Sequence, residues 1–82
     1  MKVRVRFFAI YRERAGTSKA EVELPQEATP TDLLAELRSL YPSLPRSDSV
    51  LIAVNSQYAD PHSPLHEGDE VAFIPPVSGG LV

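Results

Sequence analysis

The sequence predicts an α+β domain in which one main helix packs on one face of a mixed β-sheet. Two observations support this prediction. Several short segments alternate between apolar and polar residues, as half-buried strands do, and one longer segment has apolar residues at helical spacing. The predicted order is strand, strand, helix, strand, short strand, strand. A single helix on one face of a sheet gives a two-layer domain, and the β-grasp arrangement is one of few topologies that fit this order.

Length and composition are typical of one small globular domain. The chain has 82 residues, of which 43% are hydrophobic and 23% charged, and this balance argues against wholesale disorder. A formal net charge of −3 gives no support for a nucleic-acid partner. No apolar run is long enough to span a membrane, so we expect a cytoplasmic protein with no membrane partner. Cysteine is absent, which excludes disulfides, thiolate catalysis and thiolate metal ligands.

The first strand is predicted over residues 2–8. Apolar and basic side chains alternate along it, with Val3, Val5 and Phe7 on one face and Lys2, Arg4 and Arg6 on the other. We interpret the basic stripe as a solvated face, with a binding patch as the alternative. Phe8 falls on this polar face, where it either packs against a neighbouring segment or is exposed for a partner.

A short helical segment and a second strand follow. Residues 10–16 are compatible with one or two helical turns, and Gly16 is a plausible C-cap. Residues 19–24 alternate again and end at Pro25, and their position after the first strand favours an antiparallel pair.

The main helix has the clearest start signal in the chain. Thr29 suits the N-cap, Pro30 the first helical position, and Asp32 lies three residues after the cap. The predicted core face is an apolar stripe that consists of Leu33, Leu34, Leu37, Leu40 and Tyr41. The helix is expected to end before Pro42.

The second half of the sequence supplies the remaining strands. Residues 50–54 form a continuous apolar run, which predicts an interior strand, and Tyr58 lies in a predicted brief strand. The last strand is predicted over residues 70–74, after a turn at Gly68. Its alternation places Ala72 and Ile74 on the outward face.

No self-sufficient catalytic centre is predicted. His62 and His66 have the spacing of two metal ligands on one helical face, but Pro61 and Pro64 preclude that helix, so no metal site is expected. The serines have no histidine partner whose position can be argued, and no glycine-rich loop precedes a lysine and a helix.

The chemistry is expected in the tail, residues 75–82, which follows a folded domain over residues 1–74. Two prolines stiffen its start and two glycines remove side chains further on, in the order Pro75, Pro76, Val77, Ser78, Gly79, Gly80. A carboxyl-terminal glycine can attack the α-phosphate of ATP and become an acyl-adenylate, a good leaving group. Because the chain has no cysteine, sulfur that it carries could travel only on the terminus as a thiocarboxylate.

Further motifs accompany this tail. They are Phe7-Phe8-Ala9, Arg12-Glu13 with Gly16, Ala28-Thr29, Asp32-Leu33-Leu34, Ala53-Val54-Asn55, Pro64-Leu65 and, above all, the block GDEVAFIPPVSGG over residues 68–80. With these residues the sequence resembles the MoaD family, the small sulfur-carrier subunits of molybdopterin synthase, over essentially its whole length. The final block is highly specific, whereas a bare Gly-Gly pair would be weak.

The resemblance implies a ubiquitin-like β-grasp fold whose first and last strands pair in parallel. It also implies a sulfur carrier in molybdenum cofactor biosynthesis, which is no enzyme by itself and binds no cofactor. A MoeB-like adenylating enzyme would use ATP to activate Gly80, and a sulfur donor protein would convert it to a thiocarboxylate. A MoaE-like large subunit would supply the catalytic side chains and use the sulfur on precursor Z. Two tails inserted into a central dimer of large subunits would make a heterotetramer.

The resemblance also implies that Phe8, Tyr58 and Ile74 face the partner. Phe8 and Ile74 are outward apolar residues in the alternation pattern as well. In this sequence Leu81 and Val82 follow Gly80, and a glycine in an amide bond has no carboxylate to adenylate. We expect a protease to remove this dipeptide; a truncated form, or a homologue that has left the carrier role, are the alternatives.

Other functions fit parts of the same pattern. A thiamin-pathway sulfur carrier shares the tail chemistry, and a ubiquitin-like protein modifier would join Gly80 to lysines of target proteins through the same adenylate. A third alternative is a non-covalent interaction module with an inert tail. The fate of the activated glycine distinguishes a molybdopterin sulfur carrier, which passes a thiocarboxylate to a pterin, from a protein modifier, which forms isopeptide bonds. Deletion of Gly79 and Gly80 would leave the role of an interaction module intact.

Overall fold

A computed structural model describes residues 1–45 and 50–75 of the chain. Within these residues the elements are β1 (Lys2–Phe7), α1 (Ile10–Ala15), β2 (Lys19–Glu23), α2 (Pro30–Leu40), β3 (Leu51–Val54), β4 (Gln57–Tyr58) and β5 (Glu70–Ile74). The predicted α+β class is confirmed.

The strands form one mixed sheet in the order β2-β1-β5-β3-β4. β1 and β5 lie next to each other and run parallel, whereas the pairs β1–β2, β3–β5 and β3–β4 are antiparallel. The first and last strands of the described chain therefore share the middle of the sheet. This is the β-grasp topology, and the expected parallel pairing is confirmed.

The two central strands bury every second side chain. Val3, Val5 and Phe7 of β1 and Val71 and Phe73 of β5 are at most 2% exposed, as the alternation predicts. The structure ends β1 at Phe7, one residue earlier than predicted, so Phe8 lies just outside the strand. Residues of the sheet and of α2 belong to one hydrophobic core, which confirms the two-layer arrangement.

Two caps place the helices as predicted. Gly16 ends α1 in the left-handed conformation at φ 79°, and its N–H donates to the Arg12 carbonyl at 3.0 Å. At the start of α2 the Asp32 N–H donates to Thr29 Oγ1 at 3.2 Å, and the Thr29 N–H donates to Asp32 Oδ2 at 2.9 Å. This reciprocal pair is a capping box, with Pro30 at the first helical position.

The core face of α2 is shorter than the apolar stripe in the sequence. Leu33, Leu34 and Leu37 are buried, but Leu40 is 54% exposed, so its prediction as a core residue is wrong. The chain turns after the helix, and the Leu44 N–H donates to the Tyr41 carbonyl. Tyr41 meets the Phe7 ring edge-on at 5.5 Å between centroids, and Leu44 is 3% exposed. These two side chains fill the end of the core.

A tight hairpin joins β3 to β4. Asn55 and Ser56 both have positive φ, at 52° and 72°, which is the signature of a two-residue type I′ loop. The loop is tied to β5, because the Asn55 N–H donates to the Glu70 carbonyl at 2.8 Å and the Glu70 N–H donates to Asn55 Oδ1 at 3.1 Å. In the described part of the chain no helix is long and apolar enough to cross a membrane.

Candidate partner-binding face and tail

The sheet has an open face, which is the face that points away from the core and α2. Its residues are the alternate members of each strand, opposite in direction to the buried ones. On this face lies a depression of about 320 Å³. Its lining consists of Arg6, Phe8, Ala53, Ser56, Tyr58, Glu70, Ala72 and Ile74. The three residues predicted to face a partner, Phe8, Tyr58 and Ile74, thus lie around one hollow.

The sheet positions each of these three side chains. Phe7 pairs with Phe73 in the parallel register, so the residues that follow them, Phe8 and Ile74, lie next to each other at the same end of the sheet. Tyr58 comes from the other side of the hollow, where β4 pairs it with Ala53 of β3. Phe8 is 39% exposed and Tyr58 is 77% exposed, far more than a large aromatic side chain in a core.

Phe8 has a charged neighbour on the open face. The Arg6 guanidinium lies over the Phe8 ring. Its central carbon is 5.6 Å from the ring centroid, within the range of a cation–π contact. The ring therefore has a neighbour on one side and solvent on the other.

The floor of the hollow comes from two small side chains. Ala53 of β3 and Ala72 of β5 pair directly opposite each other in the antiparallel register. A pair of methyl groups between larger neighbours leaves a recess that a partner side chain could fill. Sequence reasoning placed Ala72 on the outward face but missed Ala53, which it assigned only to an apolar run. The small size of Ala53 within that run is the one signal of its place at the floor of the hollow, where it is 8% exposed.

The tail begins at the same end of the sheet. Pro75 follows the last residue of β5 and is half-buried, and it is the last residue that the structure describes. Because β1 and β5 are parallel, Pro75 leaves the sheet at the end where Phe8 lies. The other predicted tail residues, Pro76 to Gly80, lie outside the described residues, as do Leu81 and Val82.

The two histidines lie in the connection between β4 and β5. His66 is 83% exposed at its side chain, with Nδ1 3.9 Å from Asp69 Oδ2, and the His62 N–H donates to Asp60 Oδ1 at 2.8 Å. Across residues 1–45 and 50–75 no three histidine, aspartate or glutamate side chains are grouped so that they could hold a metal ion.

The chain is similar to a known family and to named proteins over nearly its whole length. The model of the ThiS family matches residues 5–80, so the match ends on Gly80. The molybdopterin synthase sulfur carrier subunit of Drosophila yakuba is 45% identical over 83 residues, covering 98% of this chain and 92% of that protein. The protein of the same name in Chlamydomonas reinhardtii is 42% identical, with 98% of this chain and all of that protein covered.

Solved structures give the same fold. A molybdopterin converting factor subunit 1 from Pyrococcus furiosus, described as putative, has a TM-score of 0.84 and 34% identity and covers 93% of this chain and 98% of its own. SAMP1, a small archaeal modifier protein from Haloferax volcanii, has a TM-score of 0.87 and 29% identity, with 98% and 100% covered. Subunits 1 and 2 of the molybdopterin-converting factor of Helicobacter pylori were solved as a complex. A chain of that complex is 27% identical with a TM-score of 0.69, and 98% of this chain and 100% of that chain are covered.

Proposed function

The chain belongs to the ThiS family, and we propose on this basis that it is the sulfur-carrier subunit of a molybdopterin synthase. The observation that carries the proposal is its 45% identity, over nearly its whole length, to a protein of that name. The described fold supports it, since the sheet presents a hollow, lined in part by large apolar side chains, near Pro75, where the tail begins.

The tail would supply the reactive group. The Gly80 carboxylate attacks the α-phosphorus of ATP on an activating enzyme, and pyrophosphate leaves. The terminal sulfur of a protein persulfide then displaces AMP from the acyl carbon, and a thiol reduces the resulting acyl disulfide, which leaves a thiocarboxylate on Gly80. Each step requires a free carboxylate on Gly80, and therefore a chain without Leu81 and Val82.

The length and residue types of the tail suit an active site on another protein. Pro75 to Gly80 span at most about 20 Å when extended, and Gly79 and Gly80 have no side chains to exclude them from a narrow channel. We propose that the catalytic side chains lie on the large subunit. They would act together with the thiocarboxylate that this chain delivers. ATP would be bound by the activating enzyme and not by this chain, and persulfide chemistry favours the cytoplasm as the compartment.

The hollow on the open face would hold the partners. The neighbour from Helicobacter pylori is a complex of two subunits of the molybdopterin-converting factor, which supports a large subunit as one partner. Two copies of each subunit would make a heterotetramer with one tail in each active site. The adenylating enzyme must bind the same tail, so we propose that it and the large subunit bind this chain at different times.

The direct test is chemical. A chain ending at Gly80 is incubated with the adenylating enzyme, ATP and a persulfide donor, and its mass is measured. We expect the mass change of one oxygen replaced by sulfur, and we expect the product to restore molybdopterin formation when it is added to the large subunit. The matched control is the chain that ends at Val82, which should keep its mass. A sulfur-bearing product that fails to restore molybdopterin formation would contradict the proposal.

A second candidate function is a protein modifier, and one observation favours it. SAMP1 from Haloferax volcanii, which has a TM-score of 0.87, is a small archaeal modifier protein. The same acyl-adenylate would then pass to a lysine amine and form an isopeptide bond. Mass spectrometry of cell extracts after trypsin digestion distinguishes the two functions, because only a modifier leaves residues of its own tail attached to lysines of other proteins.

A further inference from the structure

The charges on the open face are paired at one end of the sheet and unpaired at the other. Lys2 lies opposite Glu23 in the β1–β2 register. Arg4 lies opposite Glu21 on β2 and opposite Glu70 on β5, so acids flank it on both sides. These cross-strand neighbours stabilise the sheet through opposite charges.

The next pair breaks this pattern. Arg6 lies directly opposite Lys19, and in the parallel register its other neighbour is Ala72. Side chains directly opposite in an antiparallel pair have Cβ atoms about 4.5–5.5 Å apart, and like charges at that distance destabilise the sheet. Both side chains are exposed, and among the described residues neither makes an ion pair. The fold thus places two cations opposite each other, and their repulsion lowers the stability of the sheet.

These two cations are continuous with the proposed binding face. A second depression of about 350 Å³ lies beside the hollow, and Arg6 and Glu70 line both. The charged residues of the second depression are Arg4, Arg6, Lys19, Glu21 and Glu70. They are three cations and two carboxylates, so one positive charge is in excess, although the whole chain has a net charge of −3.

We propose that Arg6 and Lys19 together receive one carboxylate, from an aspartate or glutamate of the large subunit that binds the hollow. One carboxylate neutralises the excess charge and offsets the repulsion that destabilises the two cations in the unbound chain. Because Arg6 also stacks on Phe8, the ion pair and the apolar contact would fix each other's geometry. This inference rests on the proposed function, since it names the chemistry of the partner at the same face.

A single carboxylate fits better than a polyanion. A nucleic acid needs several unpaired cations along its backbone, whereas this face has one charge in excess and acids on both sides of Arg4. An ion pair at the rim of an apolar contact selects the partner and its orientation more than it adds affinity.

The test measures binding of the purified large subunit of molybdopterin synthase by titration calorimetry at low and high salt, about 50 and 500 mM NaCl. At low salt we expect Arg6→Gln and Lys19→Gln each to weaken binding about threefold to tenfold. At high salt the difference from wild type should fall below about twofold. Arg6→Lys keeps the charge and should bind within about twofold of wild type.

The matched control is Lys2→Gln, which removes the same charge from the same face of the same strand. Lys2 lies about 13 Å along β1 from Arg6, beyond the Debye length of about 8 Å at physiological salt, so its loss should leave affinity within about twofold. Lys19→Gln also relieves the repulsion with Arg6, and its melting temperature should be unchanged or higher.

Three results would overturn the inference. The first is that Arg6→Gln and Lys19→Gln bind the large subunit as tightly as Lys2→Gln does. The second is that the weaker binding of Arg6→Gln and Lys19→Gln persists at high salt or accompanies a lower melting temperature. The third is a dimer of the chain alone, seen by sedimentation, that either substitution dissociates, because the occupant would then be a second copy. If the wild-type chain does not bind the large subunit at all, the proposed function itself fails, and this outcome is distinct from the other three.

Discussion

At the scale of single residues, the capping box of α2 makes a prediction about stability. Thr29→Ala removes the side-chain acceptor of the Asp32 N–H and should lower the free energy of unfolding by about 0.5–2 kcal/mol. Denaturant unfolding measures this change. Ser39→Ala, on the exposed side of the same helix, is the control and should change stability by less than about 0.5 kcal/mol. Equal effects of the two substitutions would mean that the box does not stabilise the helix.

Tyr11 makes a prediction about alkaline pH. Its side chain is 1% exposed, and burial raises the pKa of its phenol above the ordinary 10.0, while the charge of Arg38 acts in the opposite direction. The unfolded chain therefore loses this proton at a lower pH than the folded chain. The contribution to stability is complete below pH 10 and is lost as the pH rises from 10 through the higher folded pKa.

The pH dependence of unfolding tests this expectation. The free energy of unfolding of the wild type should fall between about pH 9.5 and pH 11, and the fall should be smaller in Tyr11→Phe, which has no phenol to titrate. Tyr58→Phe is the control, since Tyr58 is 77% exposed, and its curve should follow that of the wild type. A steeper alkaline fall in Tyr11→Phe than in wild type would contradict the sign of the effect.

At the scale of the strands and loops, the hollow between Phe8, Tyr58 and Ile74 makes a prediction about binding. Phe8→Ala and Tyr58→Ala should each weaken binding of the large subunit by about 1 kcal/mol or more, about fivefold, because aromatic anchors dominate such contacts. Leu40→Ala is the matched control, since Leu40 is a large apolar residue, 54% exposed, at the end of α2 and not on the open face. Equal losses in all three variants would mean that the hollow is not the contact site.

Most strands and the main helix could be predicted from the sequence, but the extent of the core could not. β1, β2 and β5 are predictable because apolar and polar side chains alternate along them, and α2 is predictable because its cap residues and leucines act within a few residues of each other. Leu40 is at the correct helical spacing for the core, yet it is exposed because the chain beyond the helix supplies Tyr41 and Leu44 instead. Periodicity identifies a face of a helix but not where the core beneath it ends.

The candidate site is less predictable than the elements that build it. Alternation marks Phe8 and Ile74 as outward, but Tyr58 came only from the resemblance to a known family, because a two-residue strand has no pattern of its own. The alanine floor and the Arg6–Lys19 pair depend on strand register, which joins residues far apart in the chain. A local pattern carries no information about such pairs.

At the scale of the whole molecule, the proposed function divides the chain into a body that would bind and a tail that would react, and this division makes the last prediction. A chain ending at Ser78 lacks both tail glycines but keeps the sheet, the hollow and both caps. Compared with a chain ending at Gly80, we expect its melting temperature to change by less than about 4 °C, because no described core residue is lost. We expect it to accept no sulfur and to support no molybdopterin formation.

Binding of the large subunit completes the comparison. The chain ending at Ser78 should still bind through the open face and should compete with the sulfur-loaded chain for the large subunit, whereas Phe8→Ala in a chain ending at Gly80 should accept sulfur but compete poorly. The chain ending at Ser78 thus fails in the mass assay and Phe8→Ala fails in the competition assay. A truncated chain with full activity would show that the tail is inert, and the body would then be a non-covalent interaction module. A truncated chain that unfolds would show instead that body and tail are one structural unit.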